Sequence, residues 1–161
     1  MEKPAAEKQH AVNYWRFNRG MLMRLLSWNV INIGLGTCLL RDDSTVIRNI
    51  GQQAIGWGAI NVLLVAFGIT TSDRRRRNLE DPFEPQLMQK ESKNLYRLLW
   101  INNRLNLVYM GFGAWLAFAR GKDNEKLWGT GLGIIIQGAL LFIHDSIHAR
   151  RLKNDLKDRT S

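Results

Sequence analysis

The sequence predicts an all-α fold, a bundle of four transmembrane helices that reads as two duplicated helical hairpins. Four apolar stretches, residues 21–40, 50–70, 95–118 and 127–147, each supply about the twenty residues that a helix needs to cross a hydrocarbon core. Charge is segregated: 23% of the 161 residues are charged, yet Arg24, Arg97, Arg104 and Asp145 are the only ones of them inside those stretches. No segment reads as a strand, and helices satisfy their own backbone groups in lipid.

Residues 1–20 form a polar, basic arm. Tyr14, Trp15 and Phe17, set among Arg16 and Arg19, predict an interfacial amphipathic segment with its rings at headgroup level. The first apolar run lacks a small-residue cleavage site, so it is expected to serve as an uncleaved insertion signal. Cys38, the single cysteine, cannot form an intrachain disulfide and is expected as a small buried apolar residue. The connection 71–94 carries the run Arg74, Arg75, Arg76, Arg77 and the prolines Pro82 and Pro85, which predict a short surface helix over 85–93. Residues 149–161 are a basic tail behind a transmembrane domain of residues 21–148.

Alternation of four helices places sixteen Lys and Arg residues of the arm, the middle connection and the tail on one side. Arg41, Arg48, Arg120, Lys122 and Lys126 lie on the other. This bias predicts that both termini face the cytoplasm. The arginine run is a topology anchor or a contact for anionic lipid headgroups. No folded basic face suits nucleic acid.

A weak internal repeat relates Arg24, Asn29 and Asn32 to Arg97, Asn103 and Asn106, and Gly56 and Gly58 with Asn61 to Gly131 and Gly133 with Gln137. Two such hairpins would be related by an axis along the membrane normal. Under the predicted topology Gly34, Gly36, Gly56, Gly58, Gly111, Gly113, Gly129 and Gly133 fall in the outer half of the bilayer, where small residues let helix backbones approach. Asn29, Asn32, Asn61 and Gln137 fall near the midplane, and Asn102, Asn103, Arg104, Asn106 and Asp145 toward the inside. Helical spacing puts Asn29, Asn32 and Gly36 on one face, and does the same for Ala54, Gly58, Asn61 and Val65, and for Gly133, Gln137, His144 and His148.

These polar residues have two readings. As interhelical glue, the amides hydrogen-bond one another. As a pocket lining, they face a space open to the cytoplasm, with Arg104 as an anion anchor or as the partner of Asp145; snorkelling to the headgroups is a third role for Arg104. His144-Asp145-x-x-His148 has the His spacing of a zinc-protease helix, but it has Asp in place of the Glu base and no third ligand beyond His10, so no metal is expected. No nucleophile stands beside a base and no cofactor motif is present, so catalytic residues are not assigned.

The runs Gly51-Gln52-Gln53-Ala54-Ile55-Gly56-Trp57-Gly58-Ala59-Ile60-Asn61, Leu99-Trp100-Ile101-Asn102 with Leu105, Asn106 and Tyr109, and Gly133-Ile134-Ile135-Ile136-Gln137-Gly138 with Asp145 resemble an uncharacterised family of small bacterial four-helix integral membrane proteins. The resemblance implies a multi-pass protein of the bacterial inner membrane and brings no activity. The first functional expectation is a structural or interaction bundle that forms homo-oligomers through its glycine faces and meets anionic headgroups through its basic surface. The second is a small transporter, channel or ligand-binding membrane protein whose pocket is lined by amides.

Overall fold

The computed structural model describes residues 13–158, and its elements are all helical. Helix α1 spans Tyr14–Leu39, α2 Thr45–Arg77, α3 Pro85–Trp115 and α4 Glu125–Asp158. A π-helical turn, Leu116–Arg120, continues α3 toward Gly121. Local chemistry sets the starts. The Asn13 side chain accepts from the Arg16 amide at 3.2 Å, the Ser44 hydroxyl accepts from the Ile47 amide at 3.4 Å, and Pro85 stands in the first turn of α3, where its missing N–H is harmless.

Each helix outruns the apolar stretch that predicted it. The arginines 74–77 form the last turn of α2, where their charge opposes the negative end of the helix dipole. The surface helix expected over 85–93 is the first part of α3, because nothing after Pro85 interrupts the helix. Three helices, α1, α2 and α4, are long and apolar enough to cross a membrane. Asn102, Asn103, Arg104 and Asn106 lower the apolarity of α3. Residues 1–12 and 159–161, with His10 and the cations expected at Lys3, Lys8 and Arg159, lie outside the described residues.

The helices pair as two hairpins, α1 on α2 and α3 on α4, and the hairpins join mainly through α2 and α4. Helix α1 meets α3 at a few positions, whereas α2 and α3 share no packed interface. We call the end with the two short connections the turn end and the opposite end, with residues 78–84, the loop end.

Glycine brings the backbones together at the turn end. A Cβ on Gly36 would lie 2.7 Å from the Gly51 carbonyl oxygen, and one on Gly51 would lie 2.7 Å from that of Gly36. Gly113 and Gly131 repeat the arrangement between α3 and α4, at 2.8 and 2.5 Å. Gly129 would meet the Val46 carbonyl at 2.5 Å and Gly133 the Gln53 side chain at 2.6 Å, so these two residues seat α4 against α2. Gly58 and Gly138 lie against Asn29 and Asn106 in the same manner. Gly34, Gly56 and Gly111 behave differently: a Cβ there would meet nothing within 4 Å, so they do not pack helices within this chain.

The contacts also fix the register of the repeat. Asn29, Ile33 and Gly36 occupy the places of Asn106, Met110 and Gly113, while Gly51 and Gly58 occupy those of Gly131 and Gly138. Sequence matching alone pairs Asn32 with Asn106, one turn away from the register that the contacts fix.

At the loop end Tyr14, Trp15, Met21, Leu95, Leu99, Ala149 and Leu152 form an apolar core. Tyr14 and Trp15 are 8% and 5% exposed, and the Trp15 Nε1 donates to the Pro82 carbonyl at 2.7 Å. The expected interfacial segment is therefore the start of α1, with two of its rings inside the protein. Cys38 is exposed rather than buried. Elsewhere the interior is polar and the exterior apolar: Asn29, Asn32, Asn61, Asn106 and Gln137 are buried, while Leu63 is 71% and Phe67 72% exposed.

Leucine at Gly36 or Gly113 must push apart two backbones, and we expect it to cost about 1–3 kcal/mol in thermal unfolding of the detergent-solubilised protein. Leucine at Gly34, Gly56 or Gly111 should stay within about 0.5 kcal/mol of the parent; equal losses in both groups would refute close backbone approach.

Candidate binding cavity

The buried amides divide into a satisfied set and an unsatisfied one. Asn32 donates to the Ala54 carbonyl at 3.1 Å and to Gln137 Oε1 at 2.8 Å, and its own Oδ1 accepts from Gln137 Nε2 at 3.2 Å. Asn61 donates to Asn29 Oδ1 at 3.1 Å, while Asn29 donates to the Leu25 carbonyl at 2.7 Å. These bonds tie α1 to α2 and α4 and match the glue reading of Asn29, Asn32, Asn61 and Gln137. Asn103 is half satisfied: it donates to the Ser146 hydroxyl at 3.2 Å, while its Oδ1 is buried without a partner among the described residues.

The repeat explains why the other amides are left over. Asn106 occupies the place of Asn29, but the place of Asn61 is taken in α4 by Leu141, which cannot bond it. Asn106 is buried and, among the described residues, its side chain has no hydrogen bond. The place of the Asn32–Gln137 pair is taken by Tyr109 and Trp57, whose rings meet edge to face with centroids 5.2 Å apart. One side of the bundle is thus closed by amides, and the other holds an aromatic pair with an unbonded carboxamide close to it in α3.

That second side contains a cavity of about 730 Å³. Its walls are Met21, Leu22 and Leu25 of α1, Trp57 to Ser72 residues of α2, Leu95 to Tyr109 residues of α3, and Leu141, His144 and Asp145 of α4. The opening lies between α2 and α3. Two clasps bracket it: the Trp57–Tyr109 ring pair and the Arg75–Glu91 ion pair at 2.6 Å near the loop end. Its lips, Ile60, Leu64, Phe67, Leu98 and Leu105, are exposed and apolar. Deeper inside, Asn61, Asn102, Asn106, His144 and Asp145 present polar groups. An apolar enclosure with a few convergent polar groups is the usual form of a small-molecule site.

The residues expected to line a pocket therefore part company. Asn61, Asn102, Asn106 and Asp145 do so; Asn29, Asn32, Asn103 and Gln137 are not among the lining residues. Arg104 is exposed and lies over the Trp100 ring, 3.2 Å from its centroid, so it is neither an anchor in the cavity nor the partner of Asp145. Instead Asp145 Oδ1 pairs with His144 Nδ1 at 3.1 Å. With the carboxylate as acceptor, His144 carries its proton on Nδ1. His148 Nδ1 donates in turn to the His144 carbonyl at 2.7 Å, and the two rings lie 4.3 Å apart. No group of three or more His, Cys, Asp or Glu side chains converges as metal ligands among the described residues.

Sequence reasoning missed Trp57, Tyr109, Arg75, Asn18 and Glu91 as parts of this region. Trp57 sits between two glycines and read as packing, and Arg75 was hidden in a charge run. Asn18, which donates to the Ser72 hydroxyl at 3.2 Å, read as part of a surface segment. A heptad-like count from Asn61 reaches Gly68 and Arg75, which could have placed the arginine on the inner face.

The sequence profile of a family of unknown function (DUF6992) matches residues 24–146. The chain belongs to that family, and the match spans the bonded amides, Asn106 and Asp145. Neither the comparison with curated proteins nor that with solved structures gives a match.

If the amide division is right, Asn32→Leu and Gln137→Leu should each destabilise the folded protein by about 1 kcal/mol, and the double variant by less than their sum. Asn106→Leu removes a group that has no partner, so its unfolding midpoint should equal or exceed that of the parent. A loss at Asn106 as large as at Asn32 would contradict the division.

Proposed function

We propose that this member of a family of unknown function is a multi-pass membrane protein that binds, and by binding carries or senses, an amphipathic small molecule in the cavity between α2 and α3. The observation that carries the reading is the cavity of about 730 Å³, with apolar lips, unbonded Asn106 and buried Asp145. An amphiphile dissolved in a bilayer can slide its apolar part between the lips, while its polar group meets carboxamides that otherwise lack partners.

Membrane placement is supported by the inverted distribution of side chains. Contiguous exposed apolar surface on this scale is rare in water. Here Val30, Ile31 and Leu35 of α1, Leu63 and Phe67 of α2, Val108 and Phe112 of α3, and Ile136 and Ile143 of α4 all face outward. We read α3 as a fourth span, since its amides face neighbouring helices or the cavity and its Arg104 lies back over Trp100 toward the loop end. The excess of Lys and Arg at the loop end supports a cytoplasmic location for both termini and for residues 78–84. There Arg74, Arg76 and Arg77 would meet anionic headgroups, with Arg76 lying 5.3 Å from the Phe83 ring centroid.

The structural reading, a bundle that self-associates, has its own support in Gly34, Gly56 and Gly111. These glycines are exposed and touch nothing in the chain, so they are free to meet a second copy. Binding and self-association are compatible. The cavity favours binding because glue and scaffold leave Asn106 without a role.

Thiol accessibility in vesicles tests the reading. In a Cys38→Ser background, Asn106→Cys and Asn102→Cys should react with a membrane-permeant maleimide, and Asn32→Cys and Gln137→Cys should be protected. Equal protection at all four positions would refute an accessible cavity.

A further inference from the structure

We infer that the occupant of this cavity is a lipophilic cation, its charge held by the carboxylate of Asp145 and its apolar body reaching toward the aromatic pair Trp57 and Tyr109. The inference rests on the binding reading above and adds the charge of the ligand.

Asp145 is 6% exposed and lines the cavity. A carboxylate in so apolar an enclosure needs a counter-charge. The chain does not supply one among the described residues. Arg104 lies over Trp100 on the outside. Arg75, the cation that lines the cavity, is taken by Glu91 at 2.6 Å. No lysine or arginine lies within ion-pair distance of Asp145. His144 Nδ1 meets Oδ1 alone, at 3.1 Å. Among the described residues Asp145 is thus the acid of the cavity wall that no lysine or arginine meets.

The rest of the lining suits a cation with an apolar body. Trp57 and Tyr109 both line the cavity, about two helical turns along the bundle from Asp145, and offer ring surface to the body of such a ligand. Asn102 and Asn106 can turn carbonyl oxygens toward positive charge, and the volume is that of a drug-sized ligand. An anion of the same shape would meet Asp145 at close range and be excluded, whereas a neutral molecule would gain only the apolar contacts.

Three probes separate these cases: the isosteric ions tetraphenylphosphonium and tetraphenylborate, and the smaller neutral triphenylmethanol. Binding to the full-length protein in nanodiscs is measured by equilibrium dialysis against empty nanodiscs, which subtracts partition into lipid. We expect saturable binding of tetraphenylphosphonium, none of tetraphenylborate, and protection of Asn106→Cys from maleimide by the bound cation. Asp145→Asn keeps the shape and the acceptor for His144 while removing the charge, and should weaken cation binding by about tenfold or more. Trp57→Leu, an independent probe of the same site, should weaken it about threefold to thirtyfold. Cation binding unchanged in Asp145→Asn, or without protection of the thiol, would overturn the inference, as would equal affinity for the cation and triphenylmethanol. If no probe binds while Asn106→Cys still reacts, the charge assignment fails and the cavity reading stands; if the thiol is also inert, both fail.

Discussion

Close crossing of backbones at the turn end governs the rest of the molecule. Gly36 against Gly51 and Gly113 against Gly131 bring each hairpin together near its connection, and Gly129 and Gly133 press α4 onto α2 at the same level. The helices are long: thirty-three residues in α2 span about 50 Å. Rods clamped at one end diverge toward the other unless something fills the space between them. At the loop end the filler is the aromatic and aliphatic core around Trp15, Leu95 and Leu152. Between the clamp and the core, the α2–α3 side has no interface, and the cavity follows from that geometry.

Polar groups then divide the hollow level into a closed and an open side. Asn32 uses both of its N–H donors and its carbonyl oxygen, so it ties three helices with an amide that has no unmet demand. Such a node is worth little in net energy, yet expensive to break, since each partner would be left buried and unbonded. The opposite side pays no comparable penalty only if its amides find something to bond. Asn106 and Asn102 face the cavity, where water or a ligand can reach them. The same local chemistry, a carboxamide at matching places in α1 and α3, therefore yields glue on one side and a lining on the other, according to whether the facing helix offers Asn61, as it does to Asn29, or Leu141, as it does to Asn106.

Much of the fold was legible in the sequence, because it depends on local quantities. Length, apolarity and segregated charge gave the number of helices, and the three-and-four spacing found the buried stripe of Ala54, Gly58, Asn61 and Val65, all of which are buried. The helix ends were not legible from apolarity, since Tyr14 to Gly20, the arginines of α2 and the first turns of α3 are helical without being apolar. Glycine spacing found Gly36, Gly58, Gly113, Gly129 and Gly133 but could not separate them from Gly34, Gly56 and Gly111, which differ only in the face they occupy. The pairing of Asn32 with Gln137 and the stacking of Arg104 on Trp100 depend on how helices rotate against one another, which a one-dimensional pattern does not carry. Asp145 was recognised as significant for its charge, while its environment required the packing of all four helices.

The two hairpins serve as an internal control on which residues the fold itself demands. Positions that make the backbone crossings within each hairpin carry glycine in both copies, as at Gly36 and Gly113, Gly51 and Gly131, Gly58 and Gly138. Packing alone accounts for them. Met21 and Leu98, like Leu22 and Leu99, are apolar in both copies, but four other matching pairs on the cavity wall differ: Leu25 stands opposite Asn102, Leu64 opposite His144, Val65 opposite Asp145, and Asn61 opposite Leu141. Each of these four pairs thus puts one polar and one apolar member on the wall. In the α1–α2 hairpin Val65 is 1% exposed, so a small apolar side chain fills this place in the bundle. An acid at the equivalent place in α4 buries a charge where the scaffold accepts valine, and burial of an ionised carboxylate is among the most expensive substitutions a protein interior can bear. Its cost has no return in packing, in the crossings or in the amide ties, each of which the first hairpin achieves without an acid there. The return must come from what Asp145 meets inside the cavity.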